Sequence, residues 1–358
     1  MQYNQRNSRT AEDKQMYACI GIILALLTVM TVITIIIICL PAPSIGVSGL
    51  PSVGDTTPPP VSGGSEPDNP TVSHPSVGNF SNASSMTGCQ IYSSDSASKL
   101  GNISSENAIL VDMSTNIALY ANDANERVQI ASMTKVMTLI VSLDLIKSND
   151  QMYERVEIKQ VYGSHDLTGY QKAFRAGEKA YVIDLLYSVI LQSGCDSALA
   201  LAEHLAGSEE AFVAKMNEKA AWMGLSNTHF SNCYGGDDEG RNYSSVRDVG
   251  EIFMYALKNE LARKILTTKS NTYMYYGYRD YSIAMFCQSM VMDGISKRDT
   301  GKANVLGGKS GNDKMAGYCL VSFGLGSDGR EYLVVTAGDR VHKNSYDDTA
   351  YIYKNYVN

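Results

Sequence analysis

The chain has 358 residues, enough for one large or two modest globular domains, and 44% of them are hydrophobic, ample for a core. A formal charge of −7 argues against a nucleic-acid partner. Seven cysteines form no Cys-x-x-Cys pair and the five histidines are scattered, which disfavours a zinc site or a metallopeptidase centre and predicts no metal or cofactor.

Met16 to Leu40 runs 25 residues without a charge. As a helix that is about 37 Å, enough to span a hydrocarbon core of ~30 Å. Arg6, Arg9 and Lys14 precede it and the next basic residue is Lys99, so the asymmetry predicts residues 1–15 in the cytoplasm and the rest outside. The run is longer than a cleaved signal's apolar region and ends in Pro41-Ala42-Pro43, which suits cleavage poorly. Residues 16–40 therefore read as a single-pass anchor, with the remainder exported. Residues 41–100 follow, rich in Pro, Gly, Ser, Thr and Val through Gly88, with few charges there; they read as a flexible stalk. Its ~48 most biased residues have an r.m.s. reach of ~40 Å as a coil.

The globular part is expected over residues 101–358. Ala108 to Ala121 reads as two short strands joined by the polar turn Ser114-Thr115-Asn116. An apolar helix follows from Ser132, and a second runs from Tyr181 to Gly194. Phe212, Val213, Met216, Ala220 and Met223 share helical spacing, stopped by Gly224. Ser245 and Asp248 stand as a capping box before Val249, Ile252, Phe253, Ala256 and Leu257. Near the end, "GYCLVSFGL" and "REYLVVTAG" are strands flanking a turn at Gly326–Gly329, and "YDDTAYIYKNY" is a closing helix. Strands at both ends with helices between predict an antiparallel sheet completed by both termini, helices on its faces, and a helical insertion.

Three stretches carry chemistry. Ser132-Met133-Thr134-Lys135 opens the first apolar helix, and one helical turn puts the hydroxyl and the amine on one face. A lysine buried beside a second cation loses affinity for its proton and can act as a base toward a serine; a lysine snorkelling to solvent is the alternative. A second Ser-x-x-Lys, Ser96 to Lys99, lies in a polar segment and carries no such context. Ser193 sits in a break between two helices, and Lys309-Ser310-Gly311 begins a strand after Gly307 and Gly308.

In this order the three resemble the serine D-alanyl-D-alanine carboxypeptidases, low-molecular-mass penicillin-binding proteins of the peptidase S11 type, which carry Ser-x-x-Lys, Ser-x-Asn and Lys-Thr-Gly. The likeness extends through "IASMTKVMT", "AGEKAYVIDLLYSVILQSG" and "GGKSGNDKMAGYCLV", over roughly residues 104–345. It implies an α/β (α+β) fold: a five-stranded antiparallel sheet flanked by helices, plus a helical subdomain. It further implies Ser132 as acylated nucleophile, Lys135 as its base, and Ser193 as a proton relay to the departing amine. Lys309 would hold Lys135 neutral by like-charge repulsion and, with Ser310 and Gly311, bind the substrate's terminal carboxylate. The backbone N–H groups of Ser132 and Asn312 would form the oxyanion hole.

The second motif departs from the family by ending in Cys195, so the amide that would orient substrate and lysine is missing; Ser310 for Thr keeps the hydroxyl. The implied activity is removal of the terminal D-alanine from peptidoglycan stem peptides ending in D-Ala-D-Ala, with β-lactams as covalent inhibitors. An inactive penicillin-fold binder of wall peptide, supported by Cys195, and a β-lactamase are the alternatives; for the latter no Glu-x-x-Leu-Asn segment exists. Cys195 and Cys233 both fall where the family pattern leads one to expect other residues. Outside the membrane a disulfide between them is chemically permitted; two buried thiols are the alternative.

Overall fold

A computed structural model of the chain describes residues 88–159, 174–236, 239–276, 282–340 and 345–357. The anchor expected at 16–40, and the stalk as far as residue 87, lie outside the described residues. Among the described residues no helix is long and apolar enough to cross a membrane.

The main sheet joins both ends of the described chain. Its strands are β1 (Tyr92–Ser98), β2 (Asn107–Asp112), β3 (Ile117–Asn122), β8 (Asn304–Asp313), β9 (Gly317–Leu325) and β10 (Glu331–Asp339). They stand in the order β1-β3-β2-β10-β9-β8. The resemblance implies five antiparallel strands, and the sheet has six. The sixth, β1, falls inside the segment read as stalk and pairs parallel with β3, Tyr92 opposite Ile117. Its sequence, YSSDSAS, lacks the apolar alternation that marks a half-buried strand, which is why it reads as polar linker. The second Ser-x-x-Lys lies here, at the sheet's outer strand.

Alternation along β2 and β10 divides two cores. Ile109, Val111, Leu333 and Val335 enter one; Ala108, Leu110, Tyr332 and Val334 enter the other. The first is shared with α1 (Lys135–Leu145), α2 (Val182–Leu191), α3 (Cys195–Ala206), α4 (Glu209–Met223), α5 (Val246–Ala256) and α6 (Glu260–Thr267). The second lies under α7 (Met290–Ser296) and α8 (Ser345–Tyr356), through Ile295, Ala350, Ile352 and Tyr353. Helices thus cover both faces of the sheet.

Local signals place the helix ends. Ser208 and Ser245 cap α4 and α5 by accepting from Ala211 N and Asp248 N, and Gly224 (φ 78°) ends α4 in the left-handed conformation. The helix expected to run to Gly194 stops at Leu191, three residues short, leaving Ser193 in the break.

The helical insertion carries a second sheet the sequence does not announce: β4 (Arg155–Glu157), β5 (Lys179–Tyr181), β6 (Ser270–Tyr276) and β7 (Ser282–Gln288), antiparallel in that order. β4 and β5 are three residues each and pair across long sequence separations, so local periodicity cannot reveal them.

Candidate active site

The chain bends sharply before the first motif. Ala131 has φ 43°, a left-handed conformation that a Cβ makes costly, and such strain persists where surrounding packing enforces it. A 3₁₀ turn follows at Ala131–Thr134, and α1 begins at Lys135. With three residues per turn, i and i+3 eclipse, so Lys135 stands over Ser132. Its Nζ lies 2.9 Å from Ser132 Oγ.

Every α1 residue from Lys135 to Leu143 is buried, and Lys135 is 0% exposed. A buried amine costs several kcal/mol unless it is paired. Lys135 has two partners besides Ser132: the Tyr234 carbonyl at 2.6 Å and Cys195 Sγ at 3.4 Å. The snorkelling alternative is thereby excluded.

Ser193 stands between α2 and α3 with φ 59°, a second strained residue at the site. Gly194 lets the break close: an added Cβ would come within 2.7 Å of both Ser188 Oγ and Ser197 Oγ, which bond each other at 2.7 Å. Cys195, the first residue of α3, is 1% exposed. Its thiol can replace the expected amide only as a soft, weak partner for Lys135.

The third motif lies on β8, the edge strand, paired with β9 through Lys309–Val321, Ser310–Leu320, Gly311–Cys319 and Asn312–Tyr318. Lys309 is 1% exposed; its Nζ donates to Ser193 Oγ at 2.9 Å and to the Ser310 carbonyl at 2.6 Å. Burial, and after it the charge on Lys135, hold Lys309 well below the ordinary lysine range. The like-charge effect between the two lysines is therefore seen on Lys309. Gly311 brings β8 against the nucleophile turn: a Cβ there would be 2.7 Å from Ile130 O and 3.1 Å from Ser132 N. The oxyanion donors proposed from sequence, Ser132 N and Asn312 N, belong to these two adjoining segments.

The expected sites thus converge: Ser132, Lys135 and Cys195 through the first lysine, Ser193, Lys309 and Ser310 through the second. The disulfide does not form. Cys195 and Cys233 are both buried free thiols. Cys195 Sγ is engaged with Lys135, while burial and the neighbouring Glu209 carboxylate push the Cys233 thiol well up.

The resemblance places the segment around Cys233 beside the site, but sequence reasoning missed what that loop contributes, the main-chain carbonyl of Tyr234. The signal available was Asn232 followed by Gly235-Gly236, a turn pattern. A cavity of about 470 Å³ lies elsewhere, between Ile91, Trp222, Arg247 and Glu251. Its charged walls are used internally: Arg247 donates to Ile91 O, and Glu251 accepts from Ile91 N. It is a packing seam holding the first strand, remote from the motifs in its lining. Among the described residues no three His, Cys, Asp or Glu side chains converge as a metal site.

Comparison with known proteins agrees with this geometry. The chain is 33% identical over 218 residues to the D-alanyl-D-alanine carboxypeptidase DacF of Bacillus subtilis, a match covering 61% of this chain and 53% of that protein. It therefore spans about half the length of that relative. With a D-alanyl-D-alanine carboxypeptidase of Streptomyces sp. strain K15 it shares 32% identity over 218 residues, 58% of this chain and 72% of the relative. The crystal structure of the Streptomyces K15 DD-transpeptidase superposes with a TM-score of 0.62 at 28% identity, covering 72% of this chain and 99% of that one. Solved variants of that enzyme replace a serine and, two positions on, a cysteine, the spacing of Ser193 and Cys195. The three motifs meet through Lys135 and Lys309, and since the family signature of peptidase S11, D-alanyl-D-alanine carboxypeptidase, matches residues 93–339, more than half of the chain, this protein belongs to that family.

Proposed function

We propose that this chain is a serine D,D-carboxypeptidase that removes the terminal D-alanine from peptidoglycan stem peptides. Ser132 Oγ attacks the carbonyl between the two D-alanines while Lys135 takes its proton. The oxyanion is held by the backbone N–H groups of Ser132 and Asn312, at ~3–4 kcal/mol per donor. Ser193 passes a proton to the departing D-alanine amine, and water releases the acyl group from Ser132. The substrate lies along the outer edge of β8, its carboxylate toward Lys309, Ser310 and Gly311.

The observation that carries this reading is the 2.9 Å contact of the fully buried Lys135, through its Nζ, with Oγ of the half-buried Ser132. The test is release of the terminal alanine from a stem peptide ending in D-Ala-D-Ala, compared with one ending in D-Ala-L-Ala. Release from the first alone, lost in Ser132→Ala, is expected; equal release from both contradicts the assignment. β-Lactams are expected to acylate Ser132 and inhibit. Residues 16–40 are proposed as a bacterial membrane anchor, with residues 1–15 cytoplasmic and the catalytic domain extracytoplasmic; protease protection of intact cells tests this.

A second reading has one specific support. The Ser-x-Cys spacing is shared with the Streptomyces K15 DD-transpeptidase, so transfer of the acyl group to an amine acceptor is to be measured beside hydrolysis by adding a D-amino acid.

A further inference from the structure

The loop Asn232–Gly236 supplies one of the three partners of Lys135, and its shape depends on one side chain. Asn232 is 6% exposed and bonded at both ends to its own loop. Its Oδ1 accepts from the N–H groups of Tyr234, Gly235 and Gly236 at 3.3, 2.7 and 3.0 Å, and its Nδ2 donates to the Gly236 carbonyl at 3.1 Å. Three N–H groups gathered on one oxygen fold the backbone back, leaving the Tyr234 carbonyl directed at Lys135 Nζ, 2.6 Å away.

The loop is also registered against the nucleophile turn. Gly235 (φ 76°) presses on Ala131, whose carbonyl an added Cβ would overlap. Asn242 ties the two together, accepting from Ser231 N at 3.3 Å and donating to Thr134 Oγ1 at 2.9 Å.

The chemical consequence follows from valence. A neutral lysine amine has two N–H groups and one lone pair. If the Tyr234 carbonyl and Cys195 Sγ take the two N–H groups, the lone pair is left for the Ser132 hydroxyl. The carbonyl can only accept, so it holds its N–H in both protonation states. We propose that Asn232 is a positioning residue for proton transfer: by fixing the Tyr234 carbonyl on one Lys135 N–H, it aims the lone pair at Ser132. This rests on the reading of Lys135 as the base for Ser132.

The test uses the full chain and a fluorescent penicillin in rapid-mixing experiments that separate initial affinity from the acylation rate constant. Asn232→Leu, close in size but without the acceptor, should slow acylation by about 10–100-fold, in the range of a displaced general base, with affinity nearly unchanged. Asn232→Asp, whose oxygen can accept the same three N–H groups, should recover most of the rate. Acylation by Asn232→Leu within twofold of wild type, a loss confined to affinity, or an Asn232→Asp protein as slow as Asn232→Leu would each overturn the proposal. Should Asn232→Leu fail to unfold cooperatively, Asn232→Ser, with a shorter acceptor, is read by the same criteria. A wild type that does not acylate overturns the functional reading, and this proposal with it; a wild type that acylates beside an equally fast Asn232→Leu overturns Asn232's role alone.

Discussion

Lys309 and Ser193 are joined by a 2.9 Å hydrogen bond that crosses from the edge strand β8 to the break between α2 and α3. It links the third motif to the second, close enough to Lys135 for that lysine's charge to bear on Lys309. Burial keeps Lys309 well below its ordinary pKa, and an arriving carboxylate, by pairing with it, favours the ammonium form, whose proton is taken up from solvent.

Binding of a D-alanine-terminated peptide to the Ser132→Ala protein should therefore be accompanied by proton uptake. Calorimetry in buffers of different ionisation heat measures it. Lys309→Ala should abolish the uptake and weaken binding by about 10–100-fold, the scale of a lost charged hydrogen bond. Amidating the peptide should then cost the Lys309→Ala protein much less than the parent; equal losses would remove the carboxylate role.

Gly311→Ala should leave the protein folded and nearly inactive. The new methyl meets Ile130 O at 2.7 Å and Ala131 Cβ at 3.2 Å, so β8 must move away from the nucleophile turn. Overpacking of this kind costs ~1–3 kcal/mol, and acylation should fall by at least ~10²-fold from misplacement. Full penicillin labelling by Gly311→Ala would show that the contact between strand and turn is dispensable.

Glu251 predicts a pH-dependent stability. Burial raises its carboxyl to about 7 from an unfolded 4.5, against the opposing backbone bond from Ile91. An acid with a raised folded pKa contributes no penalty below the unfolded value and progressively destabilises as pH rises from about 4.5 through 7. Glu251→Gln keeps an acceptor for Ile91 N and removes the charge. It should match wild type near pH 4 and exceed it at pH 8 by on the order of 2 kcal/mol. Chemical denaturation at the two pH values checks this; a constant difference would contradict it.

Cys195 and Cys233 should both be recovered alkylated when the denatured protein is mapped without prior reduction, because both are free thiols in the fold. A linked pair of peptides would contradict the structure at its centre.

The parts of the site legible in sequence are those carried by side chains in a distinctive local context. Ser132 and Lys135 stand out because an amine three residues after a serine opens an otherwise apolar helix. Ser193 does so because a polar break separates two apolar runs. The Ser114–Asn116 turn likewise announces β2 and β3. What escaped is either polar in pattern, as β1 is, or non-local, as is the pairing of Ala180 in β5 with Tyr275 in β6. The Tyr234 carbonyl escaped for a third reason: every residue has one, and only the fold says where it points. The two cysteines near the site were visible, but not that one thiol faces Lys135 and the other Glu209.

The central claim is that Ser132, with Lys135 as base, is the acylated nucleophile. Intact mass spectrometry after incubation with a β-lactam, followed by peptide mapping, tests it most directly. The account predicts one adduct per chain, on the peptide containing Ser132, formed at least ~10²-fold more slowly in Lys135→Ala and absent from a folded Ser132→Ala protein. An adduct that persists in Ser132→Ala, or that maps to Ser193, would contradict it.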